Sequence, residues 1–244
     1  MAHILERPSP NFDRRGDDAT IDMLVLHYTG MQSAEEALSR MCDPAAKVSA
    51  HYCIDEDGTL HRLVAEEARA WHAGVACWRG AHDVNARSIG IELVNPGHEF
   101  GYRPFPEAQM ALLVDLCHEI VGRHAIPARN VVGHSDVAPL RKQDPGELFD
   151  WRRLAEAGIG HWPDEAGAQS AAPDIGRARQ LLGAIGYCLP RQGLPDDEEW
   201  AETAIVTAFQ RHFRPARCDG RLDGETMGRL QALAAMIDST APNA

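Results

Sequence analysis

Two histidines and one aspartate lie where apolar segments of the sequence end. His27 lies at the end of one apolar run. His134 follows a second apolar run and is separated from it by one glycine, and Asp144 directly precedes a Pro-Gly pair. Taken singly, a histidine at a strand end is usually structural or exposed, and Asp before Pro-Gly is typical of a turn. Together, two imidazoles and one carboxylate suit zinc and leave a fourth position for water. The three residues therefore predict a hydrolytic zinc site, because zinc lowers the pKa of its water to about 7.

Two further residues could act beside such a metal. Glu92 is the ionisable residue of the otherwise apolar run 89–94, and a buried carboxylate must be paired, hydrogen-bonded or functional. Next to zinc it could take a proton from water and return it to a leaving amine. Lys142, two residues before Asp144, could stabilise an oxyanion. The alternatives are a structural salt bridge for Glu92 and a solvated loop position for Lys142.

The segments around these residues predict alternating strands and helices. Apolar runs at 22–28 and 88–94 are typical of buried strands, and 130–132 is a shorter one. Segments 50–55 and 60–64 flank an Asp-Gly turn and predict a hairpin. Helices are expected over 33–41, where Ser33 and Glu36 form a capping box, and over 106–124. We therefore expect an α/β fold with a central mixed β-sheet flanked by helices.

The C-terminal part of the sequence has a purely helical pattern. Three apolar stripes at helical spacing occur near 175–185, 205–213 and 222–237, and predict a small three-helix bundle. Gly, Pro and small residues before it are typical of a linker. The predicted domains are a catalytic domain over 1–160, a linker over 161–173 and the bundle over 174–240.

The chemical residues and their neighbours form a recognisable set of motifs. These are His27-Tyr28-Thr29, Ala50-His51-Tyr52, Ile89-Gly90-Ile91-Glu92-Leu93, Gly133-His134-Ser135-Asp136-Val137-Ala138-Pro139 and Lys142-Gln143-Asp144-Pro145-Gly146. In order and spacing, over roughly residues 20–155, the set resembles the zinc-dependent N-acetylmuramoyl-L-alanine amidases of the amidase-2 type, to which the peptidoglycan recognition proteins are related.

The resemblance implies a role for each residue. His27, His134 and Asp144 would bind Zn²⁺, Glu92 would be the catalytic carboxylate, and Lys142 would stabilise the transition state. The implied substrate is the amide between N-acetylmuramic acid, or its anhydro form, and L-alanine in peptidoglycan or muropeptides. The alternatives are a non-catalytic peptidoglycan-binding protein and a zinc hydrolase of the same fold acting on another amide.

Other positions resemble the family more loosely. The expected substrate-binding residues are His51, Trp71, His72, Trp78 and Asn85. Packing roles for the two tryptophans, and a structural role for His51, are the alternatives. The C-terminal bundle resembles the three-helix peptidoglycan-binding module of wall hydrolases, and its alternative is a stability module without a ligand.

Composition limits the classes of partner. The net charge of −12 argues against nucleic acid, and no apolar run is long enough for a transmembrane segment. Peptidoglycan fragments or murein are therefore the expected partners, while the oligomeric state is not indicated. The six cysteines form no CxxC pair and are expected to be free thiols. Together with the lack of a signal-like N-terminus, they favour the cytoplasm, with a periplasmic or wall-associated location as the alternative if a signal was removed.

Overall fold

The structure is a computed structural model, and it describes residues 4–16, 19–163, 172–189 and 195–239, the last range with only the backbone at 195–201. In chain order the strands are β1 (Ile4–Glu6), β2 (Phe12–Arg14), β3 (Met23–Tyr28), β4 (Tyr52–Ile54), β5 (Leu60–Arg62), β6 (Ala68–Ala70), β7 (Ser88–Leu93) and β8 (Val131–Gly133). The helices are α1 (Ala34–Cys42), α2 (Val84–Arg87), α3 (Gly97–Phe100), α4 (Glu107–His124), α5 (His134–Val137), α6 (Trp151–Glu156), α7 (Ile175–Ile185), α8 (Pro195–Phe213) and α9 (Gly224–Ser239).

The main sheet is mixed, as predicted. Its strand order is β1-β5-β4-β7-β3-β8, with β4, β7, β3 and β8 mutually parallel and β5 antiparallel to β4. A separate two-stranded antiparallel ribbon pairs β2 with β6. The carboxyl ends of β3, β7 and β8 therefore meet at one edge of the sheet, which is where the predicted chemical residues lie.

Strand β3 is apolar throughout because both of its faces are covered. Leu24 and Leu26 point into one core, which includes Leu113 and Ile120 of α4. Met23 and Val25 point to the opposite face and join a second core, which includes side chains of the C-terminal helices such as Phe209 of α8. Alternation of side chains along a strand thus turns one continuous apolar run into two packing surfaces.

Most of the predicted elements are present. The Ser33 side chain caps α1 by accepting a hydrogen bond from the Glu36 backbone N–H (3.2 Å), and the expected hairpin is β4–β5. One helical turn, α5, follows β8 directly. The second C-terminal helix starts at Pro195, well before its apolar stripe. Strands β1 and β2 were not predicted, because every residue in them is exposed and no alternation marks them.

The expectation that all six cysteines are free is wrong. Cys77 and Cys188 form a disulfide across 111 residues of sequence, with their Cα atoms 5.9 Å apart. Such a pairing leaves no local spacing signal, because tertiary contact alone brings the two segments together. Free thiols in the described part of the chain are Cys42, Cys53, Cys117 and Cys218.

The disulfide lies in a seam between the C-terminal segment and the chain after β6. The Arg79 N–H donates to the Gly186 carbonyl (2.8 Å), and Trp78 forms a β-bridge with Tyr187. Gly186 has φ +144°, and a Cβ there would lie 2.7 Å from the Trp78 ring. Glycine is therefore required at this close approach.

The predicted linker and domain boundaries stay predictions, since residues 164–171 and 240 lie outside the described residues. Across the described ranges, no helix is both long and apolar enough to cross a membrane.

Candidate metal centre and active site

The structure brings the three predicted ligands together at the carboxyl edge of the sheet. His27 is the fifth residue of β3, His134 begins α5 directly after β8, and Asp144 lies in the following loop. The Nδ1 atoms of His27 and His134 and the Oδ2 atom of Asp144 are each 3.0 Å from the other two. All three residues are buried.

Buried partners decide which ring nitrogen of each histidine carries its proton. The Ser88 hydroxyl donates to the Val84 carbonyl (2.7 Å), so it accepts from Nε2–H of His72 (3.1 Å). Nδ1 of neutral His72 is then an acceptor, and it accepts from Nε2–H of His27 (3.0 Å). Nδ1 of His27 is therefore left with a lone pair that faces Asp144.

His134 is oriented in the same way. Its Nε2–H donates to the Ala73 carbonyl (3.0 Å), with the Arg141 guanidinium farther away at 3.4 Å. Its Nδ1 therefore also presents a lone pair. Burial, followed by electrostatic repulsion from the neighbouring His134 ring, lowers the pKa of His27 to about 4, so His27 is in the neutral form that metals bind.

This arrangement fits a metal ion better than it fits hydrogen bonding. Two imidazole lone pairs and a carboxylate oxygen converge with no proton between them, which is repulsive unless a cation neutralises it. Donor atoms on a tetrahedral zinc with bonds of about 2 Å lie roughly 3.3 Å apart, close to the spacing seen here. His27, His134 and Asp144 could therefore hold a zinc ion.

Glu92 lies next to this cluster. It is the direct parallel-strand partner of His27 in the β3–β7 register, so both side chains are on one face of the sheet. Its Oε2 atom is shielded from solvent and has no hydrogen-bond partner among the described residues. Burial, followed by the charge of Asp144, raises the pKa of Glu92 well above its usual range.

Lys142 is partly exposed in the loop that carries Asp144. Its backbone N–H donates to the Ala138 carbonyl (3.0 Å), and its charge is close enough to lower the pKa of Glu92 against the effect of burial. The structure thus assembles all five residues predicted for metal binding and catalysis. Their roles stay predictions.

The residues predicted to bind substrate lie mainly inside the protein. His51 accepts from the Gly90 N–H (2.9 Å) and contacts Arg15, and the Trp78 indole N–H donates to Asn130 (3.3 Å). Both are buried, so the structure gives them protein partners in place of a groove surface.

His72 and Asn85 are also buried and lie behind the candidate metal cluster. Asn85 accepts from the backbone N–H groups of His72 (3.2 Å) and Ala73 (2.8 Å), and His72 orients His27. These contacts hold His27 from inside the protein, and substrate binding by His72 and Asn85 stays a prediction. Trp71, in contrast, is partly exposed.

Several supporting residues were not found from the sequence. Ser88 and the Ala73 carbonyl fix the tautomers, and nothing in their local sequence marks them. Gly90 did carry a signal, since a glycine inside an apolar strand suggests a close approach. A Cβ on Gly90 would lie 2.5 Å from the His72 ring, so only glycine leaves space for that histidine.

Comparison with known proteins places this geometry in a family. Residues 17–147 match the family model of N-acetylmuramoyl-L-alanine amidase, Amidase_2. The chain is 38% identical over 233 residues to N-acetylmuramoyl-L-alanine amidase AmiD of Escherichia coli K12, covering 87% of this chain and 82% of that protein. It is 37% identical over 164 residues to 1,6-anhydro-N-acetylmuramyl-L-alanine amidase AmpD of Enterobacter cloacae, covering 60% and 86%.

Solved structures agree over nearly the whole chain. The complex of E. coli AmiD with the substrate anhydro-N-acetylmuramic acid-L-Ala-D-γ-Glu-L-Lys superposes with a TM-score of 0.80 at 36% identity, covering 91% of this chain and 93% of that chain. AmpDh3 of Pseudomonas aeruginosa gives a TM-score of 0.82 at 34% identity, covering 92% and 96%. The chain belongs to the Amidase_2 family of N-acetylmuramoyl-L-alanine amidases.

Proposed function

We propose that this amidase is zinc-dependent and hydrolyses the amide between N-acetylmuramic acid, or its anhydro form, and L-alanine. The observation that carries the zinc proposal is the convergence of two Nδ1 lone pairs and one carboxylate oxygen, each 3.0 Å from the others. The substrate is supported by the E. coli AmiD complex, which contains an anhydro-muropeptide.

Zinc held by His27, His134 and Asp144 would supply Lewis acidity, which activates water near neutral pH and polarises a carbonyl. Glu92 then accepts the proton of the attacking water and returns it to the departing amine of L-alanine. Burial raises the pKa of Glu92, which makes its carboxylate a stronger base towards the attacking water. The Lys142 ammonium stabilises the charge that develops on the attacked carbonyl oxygen.

The experiment is digestion of a purified anhydro-muropeptide, followed by mass spectrometry. The zinc-loaded protein should release the free stem peptide, the chelated protein should not, and re-added zinc should restore release. Intact muropeptide after incubation with zinc-loaded protein would support a non-catalytic binding protein instead. Comparing soluble anhydro-muropeptide with intact sacculi would identify the preferred form of substrate.

For the compartment, we propose the periplasm or cell wall over the cytoplasm that the cysteine pattern favoured. The support is the Cys77–Cys188 disulfide, since such bonds persist in oxidising compartments. Cell fractionation with thiol alkylation before lysis tests this proposal. A cytosolic protein with both cysteines alkylated would contradict it. Binding of wall polymer by the C-terminal bundle stays a prediction.

A further inference from the structure

The turn that carries His134 depends on side chains from the C-terminal bundle. Asp136 lies two residues after His134 in α5 and is 1% exposed. Its Oδ2 atom accepts a hydrogen bond from the Gly133 N–H (2.7 Å), and this local bond stabilises the turn. The remaining hydrogen bonds to this carboxylate come from far along the chain.

Tyr187 and His212 supply those bonds. The Tyr187 hydroxyl donates to Oδ1 of Asp136 (2.6 Å), and Nδ1–H of His212 donates to Oδ2 (2.7 Å). Both side chains are almost fully buried. A buried carboxylate without such donors is strongly destabilised, so these bonds hold Asp136 and the bundle together.

The two donors are themselves rigidly held. The His212 ring is stacked between Trp151 (ring centroids 3.7 Å apart) and Phe213 (3.8 Å). Tyr187 packs edge-on against Trp78 and directly precedes Cys188 of the disulfide. Aromatic packing therefore leaves little freedom for either donor to follow a displaced Asp136.

The same turn controls the position of two metal ligands. His134 is its first residue, and the Ser135 N–H donates to the Asp144 carbonyl (2.9 Å). A shift of α5 would therefore move the His134 ring and the Asp144 backbone together. Groups that hold metal ligands in place commonly affect metal affinity 10- to 100-fold.

We propose that the C-terminal bundle completes the metal centre, with Tyr187 and His212 acting through Asp136 as positioning residues for His134 and Asp144. The proposal rests on the zinc site of the proposed function. It assigns the bundle a role in the catalytic domain that is separate from any binding of wall polymer.

The test is zinc affinity of the full chain, measured by competition with a chromophoric chelator. The variants are Tyr187→Phe, which removes a hydroxyl, and His212→Phe, which keeps a stackable ring without the donor. Each should weaken zinc binding about 10-fold and the double variant up to about 100-fold. Asp136→Asn, which has one acceptor oxygen in place of two, should also weaken zinc binding. The absorption spectrum of Co²⁺-loaded variants should also change, and excess zinc should restore most of kcat.

The matched control is Thr226→Val. Thr226 is fully buried in the bundle and bonds to Gln210 and Arg214, away from Asp136. The Thr226→Val substitution should lower the thermal stability of the protein and leave its zinc affinity unchanged. The proposal is overturned if the Tyr187 and His212 variants bind zinc like the parent protein, or if Thr226→Val weakens binding equally. A parent protein that binds no zinc would overturn the metal centre itself, before any variant is compared.

Discussion

At the scale of single residues, buried hydrogen-bond partners decide which ring nitrogen of a histidine carries the proton. These partners are distant in sequence and adjacent in space. His27 offers a lone pair to the cluster because His72 and Ser88 fix its other nitrogen. Glu92, with a shielded oxygen and a raised pKa, is suited to exchange protons. The surroundings of these side chains, and not residue type alone, therefore support the different roles proposed for the histidines and for Glu92.

Replacing Glu92 separates these roles. Glu92→Gln keeps the size of the side chain but cannot accept a proton, so we expect zinc to bind with parental stoichiometry while kcat falls about 100-fold or more. Metal analysis and steady-state kinetics on an anhydro-muropeptide measure the two quantities. A variant that turns over normally would show that Glu92 is structural.

Replacing Gly90 tests whether the space that this residue leaves for His72, behind His27, is needed for zinc binding. Gly90→Ala places a Cβ against the His72 ring, and overpacking of this kind costs about 1–3 kcal/mol in the free energy of unfolding. Because His72 holds His27, zinc affinity should fall as well. Denaturant unfolding and chelator competition measure the two effects.

Gly122 in α4 is the matched control for this substitution. A Cβ there meets nothing within 4 Å, and the position is exposed. Gly122→Ala should stabilise the protein by about 0.5–1 kcal/mol and leave zinc affinity unchanged. Equal effects at the two positions would contradict the role given to His72.

At the scale of elements, Glu66 ties helix α4 to the sheet. It accepts from the Tyr52 hydroxyl of β4 (2.8 Å) and pairs with Arg123 and His124 at the end of α4. Burial by itself raises the pKa of Glu66, but the bonds from Arg123, His124 and Tyr52 outweigh it and bring the pKa below 4.5. The ionised form is therefore the one that the fold stabilises.

This depressed pKa predicts a pH dependence with a definite sign. The stabilisation from Glu66 is complete above its unfolded pKa, near 4.5, and is lost as the pH falls through the lower folded value. Glu66→Gln should lower the free energy of unfolding by about 1–3 kcal/mol at pH 7, with a smaller difference at pH 3. Urea unfolding of the parent protein and the variant at both pH values measures this difference in the free energy of unfolding. A difference that grows on acidification would contradict this account.

At the scale of the whole molecule, the C-terminal helices share one hydrophobic core with the main sheet. They pack on the sheet face formed by Met23 and Val25, and the Cys77–Cys188 bond fixes the seam beside them. The bundle thus has a structural connection to the catalytic domain whether or not it binds a ligand.

The disulfide should contribute strongly to stability because it closes a long loop. For 111 residues the loss of unfolded-chain entropy corresponds to about 4–5 kcal/mol. A reducing agent should therefore lower the melting temperature measured by calorimetry. The double variant Cys77→Ala/Cys188→Ala should melt at the lower temperature with or without reductant. An unchanged melting temperature on verified reduction would contradict this expectation.

The sequence by itself predicted most of the elements of the main sheet and the five residues that the structure brings together at its edge. Apolar runs of strand length identified β3 and β7, helical spacing identified α4, and motif order identified His27, Glu92, His134, Lys142 and Asp144. These signals are local, because side-chain periodicity and residue type are properties of short segments.

Only the tertiary structure decided how the site is supported. The burial of His51, His72, Trp78 and Asn85, the Cys77–Cys188 pairing and the bonds from Tyr187 and His212 to Asp136 all join segments distant in sequence. Such contacts depend on which faces of strands and helices meet, and no local pattern records that. The physical reason is that packing selects partners in space, so local sequence predicted the three residues of the candidate metal site but not the buried groups that hold them in place.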